Sequence, residues 1–564
     1  MLLRAMCLLL ASGALAGQSP NVLMIVLDDL NDCVGVLGGH PQTHTPNIDR
    51  LAGEGVLFTN AHGNVPVCSP SRASFMTGVA PTTSGCWGFE NWMQNPILIN
   101  TKTLGEYAMA NGYRALQTSK VLHNSRPNMW TRKGVPVDYG PLAFNGKKTV
   151  GHPSCPGTMR FLGALDATFA PLSDVPTVAP SADAPGAVGW WNAKWGKPSP
   201  FRYVNEDDRD SMTDEKSAEW LQKAIGELEK EDTETPFFIG FGIIRPHTPL
   251  VVPQKYFDMF PLETVQLPHV KSDDTDDLPW GSDSRGRRAF EGLKSGYQDP
   301  DEGLRRHTQA YLASVAFADD IVGRALATIE NSRFKDNTIV ILFSDHGYNL
   351  GEKECLWKYN LWEKTTRVPL IIKARRYAAN AGKTVGHPVS LIDIYPTIKD
   401  LCGWTGATTK NSRGAPLDGH SLRPFLEDPA TDTWDGPDVA VTVIASWKSQ
   451  SPAKQHLSVR SRDFRYTRYH DGSEELYDHR RDPHEWHNLA ADPEYTTTKA
   501  DLKKRMFALI PKTTKAPPKT ARNEAEAWKD RYFRKYPEAD TNQDGILSWP
   551  ELKHFQKKTG KSVQ

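Results

Sequence analysis

The chain has 564 residues, with 67 Lys+Arg against 67 Asp+Glu, 39% hydrophobic and 24% charged residues. That composition is typical of a globular protein longer than one small domain. Zero formal net charge leaves no global field to attract nucleic acid or an anionic membrane, so anion selectivity must come from a local site.

In chain order, Met1 to Ala16 read as a secretory leader. Arg4 is the basic start, Ala5 to Leu15 the apolar core, and Ala14-Leu15-Ala16 a small-x-small cleavage site. The apolar run is shorter than the ~20 residues a membrane span needs, and no later segment is long and apolar enough. A secreted or periplasmic protein is expected, with no transmembrane segment.

Asn21 to Leu27 is a continuous apolar run that ends in Asp28-Asp29. It predicts a strand buried on both faces. Phe237 to Phe241, leading to Arg245-Pro246-His247, and Thr338 to Phe343, leading to Ser344-Asp345-His346, repeat the pattern. Polar residues past the ends of buried strands are where open α/β sheets place their sites. Between the strands, Thr103-x-x-Glu106 fits a capping box. Leu221, Ala224, Ile225 and Leu228 have helical spacing, and Tyr311 to Ile329 predicts a further helix.

Residues 140–205, rich in Pro, Gly and Ala, predict a long irregular loop. Trp190, Trp191 and Trp195 there fit either a ligand-facing loop or a local core. From 436 to 512, shorter strand-like pieces predict a small α+β subdomain. Residues 513–522 read as a linker. The remaining boundaries are 1–16 for the leader, 17–435 for a large α/β domain and 523–564 for a terminal segment.

In that segment Asp540-x-Asn542-x-Asp544-Gly545-Ile546 and Glu551 fit a complete EF-hand loop. Asp540, Asn542 and Asp544 supply positions 1, 3 and 5, Ile546 offers a carbonyl at 7, and Glu551 closes at 12. A Ca²⁺ ion is expected there. Cysteines fall at Cys7, Cys33, Cys68, Cys86, Cys155, Cys355 and Cys402. Their pairing is not readable from spacing.

Cys68-Ser69-Pro70-Ser71-Arg72 resembles the signature of type I sulfatases, in which the Cys is oxidised to formylglycine, the nucleophile. The resemblance covers roughly Ser19 to Ala490. It implies an alkaline-phosphatase-like fold: a large mixed sheet flanked by helices, plus the small C-terminal α+β subdomain. It implies catalytic roles for Cys68, Arg72, Lys120, His123, His247 and Lys358, and a Ca²⁺ site at Asp28, Asp29, Cys68, Asp345 and His346. Arg72, Lys120 and Lys358 would neutralise the sulfate, His247 would protonate the departing alcohol, and His123 would take the proton for the second half of a double displacement. A formylglycine-generating maturase and a sulfated glycan are the implied partners.

Lys120-x-x-His123, Arg245-Pro246-His247-x-Pro249 and Asp345-His346 look most like the iduronate-2-sulfatase branch. Two alternatives remain open from sequence. One is a phosphatase or phosphodiesterase of the same superfamily, which normally carries Ser or Thr in place of Cys68. The other is an inactive glycan- and calcium-binding homologue.

Overall fold

Asn21–Asp28 forms strand β1 in the computed structural model, and all eight residues are buried. Alternate side chains point to opposite faces of a strand. Leu23, Ile25 and Leu27 enter one apolar core, while Val22, Met24 and Val26 enter another. A strand buried on both faces belongs inside a sheet layered by helices. The structure describes residues 19–193, 197–231, 233–278 and 284–511, with positions 536, 538, 554, 555 and 557–559.

Along the chain β1 is followed by β2 (Val56–His62), β3 (Arg114–Thr118), β4 (Arg132–Lys133), β5 (Phe237–Pro246), β6 (Thr338–Ser344), β7 (Arg367–Lys373), β8 (Thr384–Val385) and β9 (Val389–Ser390). They build one mixed sheet in the order β8-β2-β7-β6-β1-β5-β3-β4, with β9 also paired to β2. The run β6-β1-β5-β3-β4 is parallel, and β7 is antiparallel to both β6 and β2. Strands β1, β2, β3, β5 and β6 therefore all finish at the same edge. In open α/β sheets that edge is where ligands bind.

Helices cover both faces. The principal ones are α1 (Cys68–Thr77), α2 (Leu104–Ala110), α3 (Thr213–Lys230) and α4 (Pro300–Glu330). The predicted capping box closes α2, with Thr103 Oγ1 accepting from Glu106 N and Glu106 Oε2 accepting from Thr103 N. Leu221, Ala224, Ile225 and Leu228 are buried on α3, as their spacing requires. Helix α4 starts eleven residues before the expected Tyr311, behind an Asp299 cap. Its first turns carry Asp301, Glu302, Arg305 and Arg306, and this charge conceals the apolar periodicity.

The stretch 140–205 departs from the expected irregular loop. Leu142–Phe144, Thr149–Val150, Trp190–Asn192 and Ser199–Phe201 form a small antiparallel sheet. Strands of two or three residues are too short to show a period of two. Trp190 is buried, stacks on His152 at 5.1 Å and donates from Nε1 to Leu172 O at 2.8 Å. Trp191 stacks on Phe144 at 4.1 Å. Trp190 therefore belongs to local packing, Trp191 is half-buried against Phe144, and Trp195 lies outside the described residues.

Toward the C-terminus, β10 (Ala440–Ile444), β11 (His456–Arg460), β12 (Phe464–Arg468) and β13 (Glu474–Asp478) form an antiparallel sheet with α5 (Thr496–Ala508). A buried ion network joins this sheet to the large one. Arg465 Nε donates to Glu485 Oε1 at 2.6 Å and its Nη2 pairs with Glu363, which Arg460 also reaches at 3.2 Å. Residues Met1–Thr514 form one compact unit and Lys515–Gln564 a second. In the second, the rings of Tyr536 and Phe555 lie 5.9 Å apart. The EF-hand positions Asp540, Asn542, Asp544, Ile546 and Glu551, the linker 513–522 and the leader Met1 to Ala16 lie outside the described residues. No disulfide joins the six described cysteines. No helix among the described residues is long and apolar enough to cross a membrane.

His307 on α4 is buried, and burial alone pushes its imidazole down to about 4. The unfolded chain takes up this proton below ~6.5, the folded chain only near 4. Stability contributed by the neutral ring is therefore complete above pH 6.5 and declines as pH falls from 6.5 toward 4, by up to ~3 kcal/mol. Replacing His307 by Phe is expected to flatten this acid limb in urea unfolding midpoints measured at pH 7 and pH 4.5.

Candidate active site

Five strand ends and one loop bring the site together. β1 runs into Asp28 and Asp29, and β6 runs into Asp345 and His346. Asp29 has a left-handed backbone (φ 66°). This strain is held by Tyr311 Oη, which donates to Asp29 O at 2.7 Å, and by Asp29 N, which donates to Asp345 Oδ1 at 3.3 Å. Such strain persists only where the surroundings enforce it.

β2 leads through residues 63–67 into α1, whose first residue is Cys68. The C-terminal sheet braces this loop: Val443 N donates to Asn64 O at 2.9 Å and Thr442 Oγ1 to Gly63 O at 2.7 Å. All ten residues of α1 are buried, so its positive N-terminal end points into the site. Helix α1 stops at Gly78, whose φ of 66° suits glycine, and an added Cβ would meet Leu417 at 2.6 Å.

β3 continues into Lys120 and His123. The Lys120 main chain packs directly against Gly242 of β5, where any Cβ would collide with it. β5 delivers His247. Lys358 sits between Trp357 (φ 71°) and Tyr359 (φ 73°), and Tyr359 N donates to Pro66 O at 3.0 Å. That bond ties the lysine to the loop before Cys68.

Arg72 is wholly buried. Its Nε donates to Asp345 Oδ2 at 2.8 Å, and Nη2 lies 3.5 Å from Asp28 Oδ1. Nη1 donates to the carbonyls of Lys120 and Val121, and Nη2 to that of Leu27. Lys120 Nζ pairs with Asp28 Oδ2, and Lys358 Nζ with Asp29 Oδ1 at 2.6 Å. Three carboxylates thus face three cations. Burial works against ionised Asp28, but Lys120, His247 and Arg72 outweigh it and hold this carboxyl well below the usual range. Burial raises Asp29 to about 7, against the pull of Lys358 and His346.

Cys68 Sγ lies 3.3 Å from Lys358 Nζ and 3.4 Å from His346 Nε2. His346 Nε2 is also 3.3 Å from Asp29 Oδ1 and 3.5 Å from Asp345 Oδ2. Burial, then the Asp28 charge, push the Cys68 thiol up. His247 Nδ1 lies 2.5 Å from Thr248 O. Burial, then Lys358, hold this ring well below its ordinary value. Burial and Lys120 push His123 down to about 4. Asp28, Asp29, Cys68 and His247 bring donor atoms within 4.8 Å of one another, as do Asp28, Cys68, Asp345 and His346.

All ten site residues expected within the large domain therefore converge. A cleft of ≈ 550 Å³ opens over them, with Asp29, Cys68, His123, His247 and Lys358 among its lining. Sequence reasoning missed Tyr139, whose ring lies 4.8 Å from Lys120 Nζ and 4.9 Å from that of His247. It also missed Tyr311, and the cleft-wall residues Phe89, Asp166, Arg285 and Trp447. Tyr311 fits the α4 core pattern, and Arg285 sits on the amphipathic helix Ser284–Ser295 as an ordinary charged position, so no local signal separates these from packing or surface residues.

Residues 20–404 match the family model described as Sulfatase. The chain belongs to the sulfatase family. Residues 351–512 match a second model, N-sulphoglucosamine sulphohydrolase, C-terminal. A sulfatase of Formosa agariphila is 33% identical over 504 residues, covering 88% of this chain and 87% of that protein. Iduronate 2-sulfatase of Mus musculus is 29% identical over 450 residues, covering 72% and 73%. The phosphonate monoester hydrolase of Agrobacterium radiobacter shares the fold, with a TM-score of 0.59 at 22% identity over 87% of this chain and 95% of that one. This sulfatase has the alkaline-phosphatase-like fold and is a sulfuric ester hydrolase.

Replacing Arg72 by Leu leaves the Asp28 and Asp345 carboxylates without their shared cation in the core. Stability should fall by about 3–5 kcal/mol, read from urea unfolding. Arg72→Lys keeps the charge but loses the planar fork, and only partial recovery is expected. A Leu variant as stable as the parent would contradict the bridging role.

Proposed function

We propose that this sulfatase acts outside the cytoplasm on a sulfated glycan, using formylglycine made from Cys68 and a calcium ion held by Asp28, Asp29, Asp345 and His346. The observation that carries the reading is the position of Cys68. It heads a buried helix, with Sγ 3.3 Å from the Lys358 ammonium and inside the carboxylate cluster. Its raised thiol pKa makes the unmodified side chain a poor nucleophile at neutral pH.

The donor set fits a hard cation. Asp29 Oδ2 is buried without a hydrogen-bond donor, and Asp28 Oδ1 meets the Arg72 guanidinium only at 3.5 Å; buried anionic oxygens are costly unless positive charge meets them. Carboxylate oxygens are the donors calcium prefers. When present, the ion supplies charge neutralisation and the aldehyde hydrate an oxygen nucleophile.

The side chains divide the remaining work. Lys358 lines the cleft beside Cys68 and offers positive charge where a sulfate oxygen would lie, while the buried Arg72 and Lys120 balance the carboxylates behind it. His247 Nδ1, 2.5 Å from Thr248 O, carries its proton there, so Nε2 offers a lone pair in the neutral ring. An anionic ester beside it favours a second proton at Nε2, which can pass to the departing alcohol. His123, neutral at working pH and lining the same cleft, is the group that accepts a proton in the second half of the reaction.

The glycan reading rests on the mouth of the cleft, where Phe89 and Trp447 are 59% and 68% exposed. Exposed aromatic faces suit sugar rings. Export rests on the leader pattern of Met1 to Ala16, and a second calcium on the EF-hand pattern from Asp540 to Glu551.

In protein from its own host, the peptide spanning residue 68 should be lighter by about 18 Da, the change from thiol to aldehyde. Cys68→Ala should lower kcat/KM for a sulfate ester by at least about 10³-fold with the melting temperature maintained. An unmodified Cys68 in a fully active enzyme would overturn the proposal. Removal of calcium by EGTA should abolish turnover and lower Tm, and added Ca²⁺ should restore both.

A further inference from the structure

A second cavity of ≈ 490 Å³ adjoins the catalytic cleft. Tyr139, Leu165, Asp166 and Arg285 line both, so the two spaces are separated by little more than these side chains. The partition is polar. Arg285 Nη2 pairs with Asp166 Oδ2 at 3.1 Å, and Asp166 Oδ1 accepts from Thr248 Oγ1 at 2.8 Å, beside His247. The Arg285 guanidinium lies 5.7 Å from the Trp357 ring centroid.

The two spaces differ in chemistry. The catalytic cleft holds the nucleophile and its histidines. The second cavity is lined by Lys147, Lys148 and Arg285 against a single carboxylate, Asp166, among the described residues. None of the proposed catalytic groups reaches it. Lys147 and Lys148 are exposed, on the turn between the strands Leu142–Phe144 and Thr149–Val150. Lys147 Nζ reaches only the carbonyl of Asp183, at 3.4 Å, and Lys148 forms no ion pair among the described residues. Among the described residues Asp166 balances Arg285, and Lys147 and Lys148 leave two positive charges in a concave space next to an anion-processing site, which attracts a second anion on the same ligand.

We propose that the cavity bounded by Lys147, Lys148 and Arg285 is a binding subsite for a second anionic sugar residue of the substrate. The preferred substrate is then an oligosaccharide or polysaccharide with another sulfate or carboxylate beyond the sugar that bears the scissile ester. Isolated aryl sulfates and monosaccharide sulfates fill only the first cleft. An ester of a cationic alcohol gains nothing from the second. This inference rests on the proposed glycan reading and deepens it.

Binding and turnover test it separately. Cys68→Ala protein is titrated calorimetrically with heparin-derived oligosaccharides from disaccharide to hexasaccharide and with glucosamine 6-sulfate. Affinity should rise at least ten-fold from monosaccharide to tetrasaccharide, and the gain should vanish when Lys147→Ala and Lys148→Ala are added. It should also shrink between 50 and 500 mM NaCl, because these charges are exposed to solvent. Equal affinity at every length, or an undiminished gain in the triple variant, overturns the subsite. A set of chemically desulfated oligosaccharides that keep their carboxylates distinguishes the two anions: retained gain assigns the subsite to carboxylate, lost gain to sulfate. In the active enzyme, the ratio of kcat/KM for tetrasaccharide to that for the monosaccharide should drop ten-fold or more in Lys147→Ala/Lys148→Ala. Length-dependent, lysine-dependent binding without turnover by host-matured enzyme would remove the formylglycine reading and leave the subsite standing.

Discussion

The Arg72 guanidinium is the tie on which the site depends. It is fully buried, touches two of the three carboxylates, and donates to main-chain carbonyls at the ends of β1 and β3. One side chain thereby joins α1, β1, the segment after β3 and the segment after β6. A planar fork with five donors can do this where an ammonium cannot. Without such a tie, Asp28 and Asp345 would lose the cation they share at a dry sheet edge.

Strain accumulates around the same point. Asp29, Trp357 and Tyr359 all adopt left-handed backbone conformations without being glycine. Each flanks or carries a charged group that must point at Cys68. Tyr311 from α4 and the carbonyl of Pro66 hold two of these segments in place. The small C-terminal sheet contributes as well, since β10 bonds to the loop that delivers Cys68. Its buried Glu363–Arg465–Glu485 network fixes that sheet to the large one. The second layer of the protein is thus a brace for the nucleophile's loop, and its Trp447 forms part of the cleft wall.

Much of this was legible before folding was considered. The run Asn21 to Leu27 reads as a strand buried on both faces because every position is apolar, and β1 does feed two separate cores. Asp28-Asp29, Asp345-His346 and Arg245-Pro246-His247 read as strand-end groups for the same reason, since the apolar run stops where they begin. The stretch 140–205 was not legible. Its strands are two or three residues long, and pairing between distant segments decides their structure. Nor did the first turns of α4 declare themselves, because a charged helix start has no apolar stripe.

The sequence alone determined the chemistry on offer: paired acids past buried strands, and a Cys followed at +2 by Pro and at +4 by Arg. These are local properties of residue type, spacing and polarity. Which groups meet was decided only by the tertiary structure. The parallel run β6-β1-β5-β3 brings strand ends more than 300 residues apart to one edge. The chain reversal at β7 returns β2, and with it Cys68, to that same edge. Likewise Tyr139, Asp166, Arg285 and Trp447 become a cleft wall only through packing. Long-range proximity of this kind is a property of topology, which no local pattern of polarity encodes.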